Sequence, residues 1–307
     1  MLVDLRKSIL KVLAYFDLFN YPVSKEEILS FLEQPVSREA LFDALGELQA
    51  NKNIFLYRSF YMIQDNEALV DRRVAGSLRA QPLLQTGNRI SHFLYQMPYV
   101  RAISISGSLS KNFAGEDADI DYFIITKANR LWLARTLMHI IKKLSFLTGK
   151  QHWYCMNYYI DEEALEIEEK NIFTAIELIT LLPVRGNGIL HEFYDRNDWT
   201  AGYYPNYGQQ ISPVATSARE TKFKRAAEYL LNGKLGDWLD DYFMHVTTRR
   251  WNKKEAAEKR SAKGTRMSLH TGKHFSKPNP VYFQQQILSS YQDKLQKLSL
   301  KCNMQVV

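Results

Sequence analysis

The sequence predicts an α/β (α+β) protein, a mixed sheet flanked by helices, with a small N-terminal unit before it and a helical C-terminal region after it. Three observations predict this. Apolar residues at helical spacing open the chain and recur near its end. Three short stretches with strand character lie between polar loops and helical patterns: VRAISISG from Val100, DIDYFIIT from Asp119 and WYCMNYYI from Trp153. The balance of 46% apolar and 24% charged residues over 307 residues is that of an ordinary globular chain.

Residues 1–65 read as one unit. Leu5, Ile9, Val12, Leu13 and Phe16 recur on one helical face. Ser24 and Glu27 form a capping box ahead of Ile28, Leu29, Phe31 and Leu32. A third helix is expected from Ser37 to Ala50, and NIFLYRSFYMIQ reads as two short strands around Arg58 and Ser59. Three helices and a hairpin in this order resemble a winged helix-turn-helix domain. Its third helix would be the DNA reader. The residues expected on its exposed face are Arg38, Glu39, Asp43, Glu47 and Gln49, three acids against one base. That balance opposes phosphate binding, so a packing or protein-interaction role is expected.

Residues 66–212 form the expected central domain. Leu83, Leu84, Ile90, Phe93 and Leu94 mark one or two helices that lie on a sheet and lead into the first strand. Asn129 is placed to cap the helix RLWLARTLMHIIKKLSFL. A further helix runs from Ile172 to Leu182 and stops at Pro183. A loop with Gly186 and Gly188 follows, then the aromatic patch NDWTAGYYPNY. Residues 213–307 read as helical, over about 217–247 and 280–298.

Charge and cysteine content narrow the setting. Ten bases and two acids fall between Arg249 and Lys277, an excess that accounts for the whole net charge of +7. This segment is either a solvated connector or a contact for a polyanion. The two cysteines, Cys155 and Cys302, make neither a disulfide framework nor a zinc cluster, so the expected location is cytoplasmic. No stretch approaches the ~18 apolar residues of a membrane span, and no signal peptide is read at the N-terminus. No P-loop motif and no nucleophile elbow occurs.

The chemistry concentrates in GSLSKNFAGEDADIDYFIIT, Gly107 to Thr126. Alternation along a strand puts Asp119 and Asp121 on one face, about 7 Å apart, with Ile120 on the other. Two such carboxylates repel unless a cation lies between them, and aspartate oxygens suit Mg²⁺ with phosphates completing its shell. Gly107 lets a phosphate approach the backbone, and Ser108 supplies a hydroxyl.

Strand, Gly107-Ser108, loop, Asp119-Ile120-Asp121, strand, helix, strand: this order resembles the nucleotidyltransferase superfamily that includes DNA polymerase beta. The resemblance covers about residues 98–161. It implies a nucleotidyltransferase-type mixed sheet, an NTP held at Gly107 and Ser108, and Mg²⁺ (or Mn²⁺) on Asp119 and Asp121. Lys111 is a further phosphate contact. The implied reaction moves a nucleoside monophosphate to an acceptor hydroxyl on a small molecule, a protein or RNA.

The chain departs from the family at its third carboxylate. The matching strand, CMNYYI, offers Asn157, with Cys155 and Tyr159 expected on the same face. An amide cannot act as a general base at neutral pH. Asp161 and Glu162 would replace it only if the strand were shorter than it reads. Three readings stay open: a transferase with a displaced base, a slow transferase, or a nucleotide-binding regulatory protein without catalysis. A nucleic-acid-binding protein that uses the N-terminal unit and the basic segment is a further alternative. Glu177, alone among apolar neighbours in TAIELITLL, is either a satisfied carboxylate or a residue near the site. Trp199, Tyr203, Tyr204 and Tyr207 either cover a seam or stack an acceptor ring. His270 and His274 lack further ligands for zinc, and the segment is either a plain loop or, with Lys273, a phosphate contact.

Overall fold

A computed structural model describes residues 4–186, 188–208, 220–260, 268–278 and 280–302. The chain is mixed α/β, with helices on both faces of a mixed sheet. The boundary expected at 212, the helical start near 217, and Lys263 and Arg266 of the basic segment lie outside the described residues.

The N-terminal unit contains α1 (Leu5–Asp17), β1 (Val23–Ser24), α2 (Lys25–Ser30), α3 (Arg38–Ala50), β2 (Phe55–Tyr57) and β3 (Phe60–Met62). Asp4 caps α1, and Ser37 caps α3. The Ser24–Glu27 box forms with both bonds in place, at 3.1 and 2.7 Å. The hairpin turns at Arg58, which takes a positive φ of 56°, and the three strands pair antiparallel in the order β1-β3-β2. Arg38, Glu39, Asp43, Glu47 and Gln49 are all exposed.

The core of this unit does not stop at residue 65. Ile9, Leu13 and Phe16 pack in one cluster with Ala175, Ile176 and Ile179, and with Tyr291, Leu295 and Leu298 from the end of the chain.

A 28-residue helix, α4 (Ala68–Tyr95), leads to the main sheet. Pro82 lies inside it. Ile90 and Leu94 are buried on the sheet, but Phe93 points outward and is 47% exposed. Then follow β4 (Val100–Ile105), the short α5 (Gly107–Ser110), β5 (Asp121–Thr126), α6 (Leu131–Ser145), β6 (Cys155–Asp161) and α7 (Ile172–Ile179). β7 (Leu182–Arg185), α8 (Ile189–Arg196), α9 (Pro205–Gly208), α10 (Lys222–Leu230), α11 (Lys234–Ala256), β8 (Leu269–Thr271), β9 (Phe275–Pro278) and α12 (Pro280–Cys302) complete the described elements. The sheet order is β7-β4-β5-β6-β9-β8. β4 and β5 are antiparallel, and β5 and β6 are parallel with α6 as their crossover.

Three expectations change here. Leu182–Arg185 is an edge strand on β4, not a helix end, and an edge tolerates Pro183. Residues 213–307 are not helical throughout, because β8 and β9 extend the sheet beside β6. Asn129 has a positive φ of 58° and does not cap α6. Its place is taken from another helix, where Asp240 of α11 accepts from Leu133 N at 2.8 Å. The aromatic patch, by contrast, meets the first of its two expectations. Tyr204 is buried, Tyr207 packs 5.3 Å from Phe31, and Asn206 donates to Leu32 and Gln34 carbonyls, which makes the patch a seam with the N-terminal unit.

The sheet has two apolar faces. Ile103, Ile105, Ile120, Tyr122 and Ile124 pack toward α4 and α6. Ala102, Phe123, Ile125 and Ile160 pack toward α7 and α8. Among the described residues no helix is long and apolar enough to cross a membrane.

Candidate functional site

The site forms where β4 ends and β5 begins. Gly107 turns the chain with φ at +70°. A Cβ at this position would lie 2.8 Å from Asp121 Oδ2, so both the backbone and the close approach require glycine. Asp121 opens β5 opposite Cys155. Asp119 lies just before the strand, and Ile120 between them is fully buried toward α4 and α6.

Each carboxylate has a neighbour the sequence did not single out or placed differently. Asp119 Oδ1 lies 2.6 Å from His152 Nδ1. Asn157 Nδ2 donates to Asp121 Oδ1 at 2.6 Å, and Cys155 Sγ donates to Asn157 Oδ1 at 3.3 Å. The pairing of β5 and β6 shifts register between Tyr122 and Phe123, so Asn157 is an extra, bulged residue. A bulge turns the following side chains by one position. Tyr158 therefore packs on Phe123, with ring centroids 5.0 Å apart, while Tyr159 faces Met138 on the opposite side. Cys155 and Asn157 share the face of Asp121, and Tyr159 does not.

Burial pushes the Asp121 carboxyl up to about 6, with Asp119 and Glu177 adding negative charge in the same direction. The Cys155 thiol and Lys142 oppose this only in part. Burial likewise pushes Cys155 up to about 11, which keeps it a thiol and a poor nucleophile.

Glu177 is the acid that reaches this site from a helix. Its Oε1 lies 2.8 Å from Lys111 Nζ, and the same ammonium donates to Gly107 O at 3.1 Å. Tyr21 of the N-terminal unit holds this turn through a 2.7 Å bond to Lys111 O. Asp161, by contrast, ends β6, about 20 Å from Cys155 at the usual strand rise. It is fully buried and bound to Asn129 N, Glu163 N and His274, so it does not serve the site. Glu162 is committed to Ala128 N at that same end.

Two cavities meet at Gly107, Asp121, Phe173 and Glu177. One, of about 410 Å³, includes Ser108 and Lys111 and is walled by aromatic rings. The other, of about 200 Å³, includes Asn157, Glu169, Thr174, Lys277 and Gln284. The structure thus brings Gly107, Ser108, Lys111, Asp121, Asn157 and Glu177 together, with Asp119 at the edge.

The basic segment is not one strip. Lys273 pairs with Asp241, and Lys277, nearly buried, pairs with Glu169. His270 lies 3.8 Å from Glu169, and His274 binds Asp161. Arg249, Arg250, Lys253 and Lys254 lie on α11, which packs on α6. Burial and the cations Arg135, Lys143, Lys142 and Lys254 together hold His139 down at about 4. A positive face therefore runs along these helices, and Lys142 brings it to 3.6 Å from Cys155 Sγ.

No family profile, curated protein or solved structure matches the chain.

Proposed function

We propose that the chain is a cytoplasmic nucleotidyltransferase that binds an NTP with Mg²⁺ or Mn²⁺ and moves its NMP to an acceptor hydroxyl. The observation that carries this is the meeting of Gly107, at positive φ, with Asp121 at the join of two cavities, with Asp119 two residues before Asp121 and bonded to His152. The sheet supports a nucleotidyltransferase-type core: an antiparallel β4–β5 pair, then a helix, then β6 parallel to β5. The N-terminal unit is read as winged-helix-like, with packing rather than DNA recognition as its role, since its third helix exposes three acids and one base.

The donor set fits a hard dication. Asp119 and Asp121 supply carboxylate oxygens, and the acid cluster that raises Asp121 is relieved by positive charge. A bound Mg²⁺ would stabilise negative charge on the phosphates. Ser108 and Lys111 hold the triphosphate, with Lys111 leaving Glu177 for a phosphate oxygen. The acceptor oxygen bonds to the α-phosphorus, the bond to the β-bridging oxygen breaks, and pyrophosphate leaves. Glu177 takes the acceptor proton, because Asn157 cannot and Asp161 is bound at the far end of β6.

Asn157 favours a second reading, nucleotide binding without transfer. An assay with α-labelled NTP and Mg²⁺ separates the two. Label on an acceptor, lost in Asp119→Asn and Asp121→Asn, supports transfer. Mg²⁺-dependent binding with no label transferred supports the second reading, and no binding overturns both.

A further inference from the structure

We infer that the tip at the end of α6 docks on an anionic phospholipid bilayer. Ile140, Leu144, Phe146 and Leu147 enter its surface, while Lys143 and Lys150 meet its headgroups. The tip lines neither cavity of the candidate site, so this inference stands apart from the nucleotide reading.

α6 is apolar on two sides. One side, with Leu131, Trp132, Leu133 and Met138, is buried. The other carries Ile140, Leu144 and Leu147 at the i, i+4, i+7 spacing of one helical stripe. These residues are 49%, 58% and 84% exposed, and Phe146 beside them is 60% exposed. Phe146 and Leu147 lie in the single 3-10 turn, Phe146–Thr148, that follows the helix. Gly149 closes it at a φ of +67°, and a Cβ there would meet nothing within 4 Å, so the turn stands clear of the body. A convex apolar tip of this kind suits insertion into a soft surface rather than the filling of a groove.

Charge decides what the tip meets. No acid occurs between Asp121 and Asp161 in the sequence, whereas Lys142, Lys143 and Lys150 flank the tip. Among the described residues, none of these three lysines forms an ion pair. The charges that act most on His139, one turn before Lys143, are the cations Arg135, Lys143, Lys142 and Lys254, so the field beside the stripe is positive. Anionic headgroups attract such lysines, and the apolar side chains then bury at the headgroup boundary. A second copy fits less well, because a two-fold contact would set these cations against their own counterparts. A nucleic acid strand would find one ring among the four apolar residues, Phe146, where it needs successive rings to stack on. The exposed rings of α11, Trp238 and Tyr242, stack on each other at 5.6 Å and have Asp241 beside them, so that face lacks the same charge.

Flotation of the full chain with vesicles tests this, using phosphatidylcholine alone or phosphatidylcholine with about one-quarter phosphatidylglycerol. The anionic vesicles should bind the protein at least about tenfold more tightly than the neutral ones, and the difference should shrink as salt rises. Leu147→Gln should weaken binding to the anionic vesicles about tenfold, and Lys143→Ala about fivefold. Both side chains are exposed, so the Tm of each variant should match that of the parent, which sets misfolding aside. Lys297→Ala, on α12, should leave binding unchanged. Failure to bind either vesicle, or equal affinity for the two, overturns the inference. Binding that falls in Lys143→Ala but not in Leu147→Gln overturns it as well, since charge alone would then hold the protein. Light scattering that finds a dimer broken by Leu147→Gln would assign the tip to a second copy instead.

Discussion

The parallel pair β5–β6 carries an aspartate at each end, and the two are built in opposite ways. Asp161, opposite Thr126, is wholly buried and tied to two backbone amides and His274. Those bonds join the loop before α6 to the turn before β9. Asp121, opposite Cys155, has one short bond from Asn157, two acids as electrical neighbours and cavities on either side. The first carboxylate is spent on the fold. The second is held in a state that a cation would improve.

The sharpest way to break this comparison is to remove each acid. Asp161→Ala should destabilise the protein by about 3 kcal/mol, because it strands buried amides and His274. Asp121→Ala should cost less than about 1 kcal/mol yet abolish Mg²⁺-dependent NTP binding. Denaturant unfolding of both variants decides it, and equal costs would show that the two ends are built alike.

Asn157→Asp comes next in size. It trades a donor for a third carboxylate facing Asp121. Without metal the variant should lose about 2 kcal/mol at pH 8, and added Mg²⁺ should restore more Tm than in the parent. A variant insensitive to Mg²⁺ would place the cation elsewhere.

Gly107→Ala should cost about 1–2 kcal/mol, since it forces a side chain into positive φ and against Asp121 Oδ2. Unfolding measurements check this, and NTP affinity should fall alongside.

A further effect is in pH. The folded Asp121 carboxyl is raised to about 6 from its ordinary 3.8, so the folded state holds its proton longer than the unfolded state. Stability should therefore fall as pH rises from about 4 to about 6, then level off. Asp121→Asn, in EDTA, should flatten that decline in Tm. Asp240 is also raised to about 6, but it is common to both proteins and cancels in the difference.

What was legible in the sequence was local. The Ser24–Glu27 box, the hairpin at Arg58, and the strand through Tyr122–Thr126 all depend on neighbours in the chain, although that strand starts at Asp121 and not at the expected Asp119. Asn157 was legible as the departure from a third acid. Its bulge was not, because a register shift is decided by both strands, and that shift sends Tyr159 to the far face. β8 and β9 were hidden for the same reason: SLHTGKHFSKP has little strand pattern until the edge of β6 offers a partner. Glu177 stood out as a lone charge in an apolar helix, but only the packing of α7 shows that it faces Asp121. The aromatic wall of α1 looked like ordinary core, and most of that helix is.

The docking of α12 on α1 has a consequence in time. Lys294 of α12 is bonded to the buried Asp17 at the end of α1, 277 residues earlier, and Tyr291 meets Tyr15 edge-on at 6.0 Å. As the chain leaves the ribosome, α1 appears long before α12, so the side of Tyr15 that Tyr291 meets waits uncovered through most of translation. Phe283 and Gln284, one from each cavity wall, come in that same late segment. A nascent chain can thus fold its sheet, align its aspartates and still have no finished pocket.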